Sequence, residues 1–247
     1  MLKSNWQLKL GITLVVLSAV VYFLHYAIFR DFHHIMIYLV GDIAFVFLEV
    51  LMVTLIIHEL LNRREKRQRL QKLNMVIGAF FSEVGFELLR VLSDWDPHLE
   101  GIRSRLKVTT LWTEEQFDAA EALMKGYKFR IAEEKLEPIR LRQFLAQKLE
   151  FLLRLMENPN LLEHESFTDL LLAVFHLSEE LVARDDLGEL PETDRAHLTG
   201  DANRVYGQLT GSWLEYMKYL RATYPYLFSL AVRTNPFDRT ASPVVTS

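Results

Sequence analysis

The sequence predicts an all-α protein: a two-helix transmembrane hairpin followed by a cytoplasmic α-helical bundle. Three observations carry this. Two apolar stretches near the N-terminus are each long enough to cross a bilayer. Apolar residues in the remainder recur at helical spacing. No stretch alternates with period two for long enough to build a sheet. Composition agrees. Half of the 247 residues are hydrophobic and 24% are charged, which excludes both a disordered chain and a purely intramembrane bundle. Ten Gly and seven Pro are few for an all-β protein that would need many tight turns. The absence of Cys excludes disulfides, thiolate metal sites and Cys nucleophiles.

The first element is the stretch 10–29, whose polar side chains are Thr13, Ser18, Tyr22, His25 and Tyr26. The second is 35–57, interrupted by the acids Asp42 and Glu49. About 20 helical residues at ~1.5 Å each span ~30 Å of hydrocarbon, so both qualify. No small-x-small cleavage site closes the first stretch, where Tyr26-Ala27-Ile28-Phe29 stands, so it reads as a retained span rather than a signal peptide. Lys3 and Lys9 precede the first span, and only Arg30 lies in the connection 30–34. Arg63, Arg64, Lys66, Arg67, Arg69 and Lys72 follow the second span, with Glu65 among them. Basic residues collect on the cytoplasmic side, which predicts a cell inner (plasma) membrane protein with both termini cytoplasmic. The six basic residues form a collar that either contacts anionic lipid or only sets topology.

The domains that follow are a hairpin over 1–62, the juxtamembrane collar over 63–72 on a continuous helix, a cytoplasmic helical domain over 73–234 and a disordered tail over 235–247. Residues 73–247 carry 19 Lys+Arg and 27 Asp+Glu, a net −8. That balance argues against nucleic acid, whose phosphates need basic surface.

Within the helical domain no Pro occurs from 59 to 94, and Leu70, Leu73, Ile77, Phe80, Phe81, Val84, Leu88 and Val91 fall on helical spacing. Gly78 and Gly85 share nearly one face of that helix, which suits a close approach by a neighbouring helix. Asp96-Pro97 reads as the start of a short helix to about 105. Thr113 to Gln116 has the capping-box pattern and Gly126 reads as a stop, giving a helix over 113–125. Pro138 opens a helix to about 157, which Asn158-Pro159-Asn160 breaks. Ser166 to Asp169 reads as the cap of a helix to about 184. After a loop over 185–191, a long helix runs from 192 to about 224, where Pro225 ends or kinks it. A short apolar piece follows over 226–232.

The acids inside the second span are the most informative feature. An ionised carboxylate near a bilayer centre costs roughly 2.5–3.5 kcal/mol, so both should face protein or water. Asp42 and Glu49 lie seven apart, as do Ser18 and His25. A tight hairpin would set His25 level with Asp42 and Ser18 level with Glu49. Two readings stay open: helix–helix adhesion within or between subunits, or an ion or proton path built by an oligomer. A buried ligand or metal site is a third.

Other constellations argue for less. His33-His34 is a poor chelate on a helix. Glu83 with Glu87, and His176 with Glu179 or Glu180, read as salt-bridged faces. No Glu-x-x-His occurs in the soluble part, and Asp194-x-x-His197 is the nearest match to a di-iron motif. No Walker A, dinucleotide, nucleophile-elbow or zincin sequence is present. The aromatic run Trp213, Tyr216, Tyr219, Tyr224, Tyr226 and Phe228 reads as core, or as an aromatic groove. The function expected is therefore a membrane-anchored, non-enzymatic oligomeric scaffold, sensor or partner-binding module, with no metal and no cofactor. Its partners would be the lipid bilayer, further copies of itself and a cytoplasmic protein. The alternative is a homo-oligomeric ion channel or proton-coupled transporter lined by Asp42 and Glu49.

Overall fold

The computed structural model describes residues 4–159, 161 and 164–245. Lys3, Asn160, Thr246 and Ser247, on which parts of the sequence reading rest, lie outside the described residues. Helix accounts for 80% of the chain and no strand occurs among the described residues, so the class is all-α. The chain divides into two compact units, Met1–Arg67 and Gln68–Ser247.

In the first unit, α1 (Ser4–Phe29) ends where Arg30 adopts a left-handed backbone, φ 52°, and its N–H still reaches the Tyr26 carbonyl at 2.8 Å. Asp31 then accepts the His34 N–H at 3.1 Å and so caps α2 (Phe32–Phe80). The connection is thus two residues rather than the five over 30–34, because Asp31 converts Phe32, His33 and His34 into a first helical turn. The two helices touch near this turn. Ile35 is buried, and Tyr22, His25, Met36 and Leu39 are half-buried. Over residues 8–21 and 40–72 every side chain is exposed.

The second unit takes the last turns of α2, a π-turn over Phe81–Gly85, then α3 (Phe86–Asp94) and the short α4 (Glu100–Arg103). After these come α5 (Glu114–Gly126), α6 (Pro138–Met156), α7 (Glu165–Val182), α8 (Glu192–Thr223) and α9 (Pro225–Arg233). The centre is α8. It packs against α3, α5, α7 and α9, and α6 lies on α7. Burial follows from spacing: α7 buries Phe167, Leu170, Leu171, Val174, Leu177 and Leu181 on one stripe. In contrast, α8 buries several faces, through residues such as Leu198, Val205, Tyr206, Leu209, Trp213 and Met217.

Local chemistry sets the ends. Thr113 and Gln116 form the expected capping box, and Pro138 and Pro225 occupy the first turns of α6 and α9. Two boundaries differ. The cap of α7 is His164, whose imidazole accepts the Phe167 N–H at 3.3 Å, so Ser166 lies already inside the helix. Asp96 does not open a helix. It accepts the His98 N–H at 2.9 Å and the Tyr127 hydroxyl at 2.7 Å, and α4 starts only at Glu100. The glycine pair has one clear cause at Gly78, where a Cβ would meet Tyr216 Oη of α8 at 3.0 Å. At Gly85 a Cβ would strike the Phe81 ring at 2.5 Å, inside the π-turn.

The tail differs most. A disordered segment from 235 was expected, yet Asn235 and Phe237 are buried. Asn235 donates to the Leu106 carbonyl at 2.9 Å and accepts the Phe237 N–H at 2.9 Å. The Phe237 ring sits edge-on to Trp213 at 4.9 Å, and its carbonyl accepts from Arg103 at 3.3 Å. A Ser/Thr/Pro-rich composition hid one aromatic anchor.

Candidate functional site

The expected polar face of the hairpin is only partly assembled. Asp42 is exposed and accepts a hydrogen bond from Tyr22 at 3.3 Å, so Tyr22, not His25, is its partner. His25 is half-buried. Its ring lies 4.8 Å from Phe29 and 6.1 Å from His34, and its Nε2 has no hydrogen-bond partner. Ser18 and Glu49 are exposed and make no hydrogen bond among the described residues. The register displaces the expected pairs because α2 begins three residues earlier than the sequence suggests. Thr13 spends its hydroxyl on the Lys9 carbonyl of its own helix, at 2.8 Å.

The collar residues Arg63, Arg64, Lys66, Arg67, Arg69 and Lys72 are all exposed. Arg63 pairs with Glu59 at 2.6 Å, one turn earlier on the same helix.

In the second unit the aromatic run splits. Trp213, Tyr216 and Phe228 are core, with Tyr216 stacked on Phe81 at 5.1 Å, whereas Tyr219 and Tyr224 are half-buried and Tyr226 is exposed. Beside them lies an open, mainly apolar groove of about 380 Å³, bounded by Phe86, Glu87, Arg90, Tyr216, Leu227 and Leu230. The π-turn forms part of its wall through Ser82.

The densest ionic cluster was missed by sequence reading. Arg184, at the end of α7, donates to both oxygens of Asp194 at 2.7 and 2.6 Å and to Glu180 Oε2 at 2.7 Å. This clamp closes the loop between α7 and α8. The guanidinium holds the carboxyls of both Glu180 and Asp194 below the usual carboxylate range, and they hold it above the usual arginine value. Next to it, α7 and α8 each contribute a histidine and an acid one turn apart. His176 Nε2 is 3.6 Å from Asp201 Oδ2 and 3.9 Å from Glu180 Oε1. His197 Nε2 is 3.4 Å from Asp201 Oδ2 and 3.6 Å from Glu180 Oε2. Asp201 is 4% exposed, and its Oδ2 has no hydrogen-bond partner. The sequence shows His176 with Glu180 as a salt-bridged face; the unread signal was the second His-x-x-x-acid pair, His197 with Asp201.

Comparison with known proteins gives two family matches. The model of the C-terminal helical domain of the uncharacterized protein MJ1433 matches residues 69–233, and that of the MJ1433 N-terminal helical domain matches residues 2–61. The uncharacterized protein MJ1433 of Methanocaldococcus jannaschii is 46% identical over 235 residues, which cover 95% of this chain and 94% of that protein. No solved structure matches.

Proposed function

The chain belongs to the MJ1433 family, and from that premise we propose a membrane-anchored, non-enzymatic helical protein that serves as an oligomeric scaffold, sensor or partner-binding module. One observation carries the reading: the apolar side chains of residues 8–21 and 40–57 are exposed on every face of their helices. Two stretches of that length and hydropathy are long enough to span a bilayer. Left in water, such a surface far exceeds the few hundred Å² that soluble monomers tolerate, so lipid or further protein must cover it. With the hairpin inserted, the basic collar favours the cytoplasmic face and the acidic helical domain projects on that side.

A specific feature favours the second reading, an oligomeric channel or proton-coupled transporter. Glu49 lies at mid-span, exposed and with no side-chain partner among the described residues. Two helices cannot enclose a path, so any conduction requires several copies around one axis. The scaffold reading instead has neighbouring copies satisfy Glu49 as helix adhesion, much as Tyr22 satisfies Asp42.

The chain's lack of Cys makes the test direct. Single cysteines placed at Arg30, Leu48 and Lys72 are labelled with a membrane-impermeant maleimide on intact cells and on inverted vesicles. Labelling of Arg30→Cys from outside only, of Lys72→Cys from inside only, and of Leu48→Cys from neither fits the anchor. Equal labelling of all three from inside refutes it. Liposomes then separate the two readings. The scaffold reading expects no ion flux, and a flux abolished by Asp42→Asn/Glu49→Gln establishes the channel.

A further inference from the structure

The cluster at the α7–α8 contact has a feature that salt bridging leaves unexplained. Asp201 Oδ2 is buried and without a hydrogen bond, yet two imidazole nitrogens converge on it at 3.4 and 3.6 Å. Both distances exceed a normal N–H···O bond, and an unpaired buried carboxylate oxygen is costly. The nearby cations do not relieve it. Arg184 is engaged by Asp194 and Glu180, and Arg204 pairs with the other oxygen of Asp201 at 3.0 Å.

We infer that a divalent first-row transition-metal ion binds between α7 and α8, held by Nε2 of His176, Nε2 of His197, Oδ2 of Asp201 and the carboxylate of Glu180. Metal bonds of ~2.1 Å in a tetrahedron place neighbouring donors about 3.4 Å apart. With Glu180 Oε1 as the fourth donor, His197–Asp201, His176–Asp201 and His176–Glu180 are separated by 3.4, 3.6 and 3.9 Å. These three edges are equal to or slightly longer than those of such a tetrahedron. As they stand, no three His, Cys, Asp or Glu side chains among the described residues are close enough together to hold a metal ion. Ion binding therefore draws the donors inward by a few tenths of an ångström. Glu180 is available for this, because Arg184 occupies Oε2 and leaves Oε1, which faces His176, for the ion.

Charge and donor type agree. With neutral imidazoles the group holds three carboxylates, Glu180, Asp194 and Asp201, against two guanidiniums, Arg184 and Arg204, and a divalent ion offsets the excess. Two imidazoles with two carboxylates suit zinc, cobalt, iron(II) or manganese, and are poor ligands for calcium or magnesium. The ion would clamp the end of α7 to the start of α8, across the loop that Arg184 already closes.

The full chain in detergent, stripped with chelator, is titrated with Zn²⁺ by calorimetry and with Co²⁺ by visible absorption. The expected result is one equivalent per chain, a ligand-field band typical of four- or five-coordination, and a rise in Tm with added Zn²⁺. His176→Ala/His197→Ala should weaken binding by more than the roughly 10–100-fold that outer-shell changes cause, and abolish the Tm rise. His33→Ala/His34→Ala, which removes the other adjacent histidines, should retain both. If circular dichroism shows that the first double variant has not folded, Asp201→Asn/Glu180→Gln replaces it with the same expectation. No stoichiometric binding by the native chain overturns the inference. So does equal binding by the cluster variants, or loss of binding in His33→Ala/His34→Ala.

Discussion

Phe237 should be worth as much to the helical domain as any core residue, although it lies 10 positions from the last residue in a segment of low-complexity appearance. Its ring is 0% exposed and packs edge-on against Trp213, itself 0% exposed, at 4.9 Å. Replacing a fully buried Phe by Ala costs about 3–5 kcal/mol in transfer and cavity terms. Against a total stability of ~5–15 kcal/mol this is a large fraction. Truncation after Thr234 should cost more. It also removes the carbonyl that accepts from Arg103, whose side chain is only 6% exposed, and leaves the Leu106 carbonyl without Asn235. Urea and thermal unfolding of the detergent-solubilised full chain, followed by circular dichroism, read both variants. For a domain of this size, Phe237→Ala should lower Tm by roughly 6–20 °C. A loss under ~1 kcal/mol for Phe237→Ala, or a truncated chain as stable as the full one, would refute the reasoning and return the tail to disorder.

Two further predictions use the same assay. Gly78→Ala should bring no stabilisation despite a helix-propensity gain of ~1 kcal/mol, because its Cβ meets Tyr216 Oη at 3.0 Å. In a Tyr216→Phe background, which removes that oxygen, the same change should stabilise, and equal effects in both backgrounds would deny the contact. Asp238 has its pKa lowered to about 2, chiefly by the hydrogen bond from Lys107 at 2.9 Å. A depressed folded value means that its contribution is present above the unfolded value of ~3.9 and is lost as pH falls toward about 2. Lys107→Ala should therefore flatten the stability loss between about pH 4 and 2, and an unchanged acid profile would contradict it.

Much of the helical frame was legible because its signals are local. The Thr113–Gln116 box, Pro138 and Pro225 each act within one turn, and the stripe on α7 needs only 3.6-residue spacing. Other features needed tertiary partners. Asp96 looked like a cap, but the Tyr127 hydroxyl, 31 residues on, holds it elsewhere. His164 outcompeted Ser166 as the α7 cap because its ring nitrogen reaches the Phe167 N–H, a use of histidine that cap preferences do not suggest. At the hairpin, the residue types were legible and their pairing was not. Moving the start of α2 by three residues gave Asp42 to Tyr22. The cluster of His176, Glu180, His197 and Asp201 became visible only when two helices, each with an unremarkable pair, were brought side by side.

The π-turn over Phe81–Gly85 acts as a vernier on the helix that carries it. Leu73, Ile77, Val84, Leu88 and Leu92 are all buried, and most steps between them are four residues, or about 40° more than a full α-helical revolution. Over that distance an uninterrupted α-helix would swing Leu92 about 100° away from Leu73. The one extra residue accommodated by the wider turn cancels that drift and aims Leu88 and Leu92 back at α8. Chain length between Phe80 and Phe86 is consequently tied to rotation and not to reach: converting the π-turn to α-helix with its extra residue kept would turn the buried face of α3 by about 100°, whereas deleting one residue there would leave a straight α-helix with that face still toward α8.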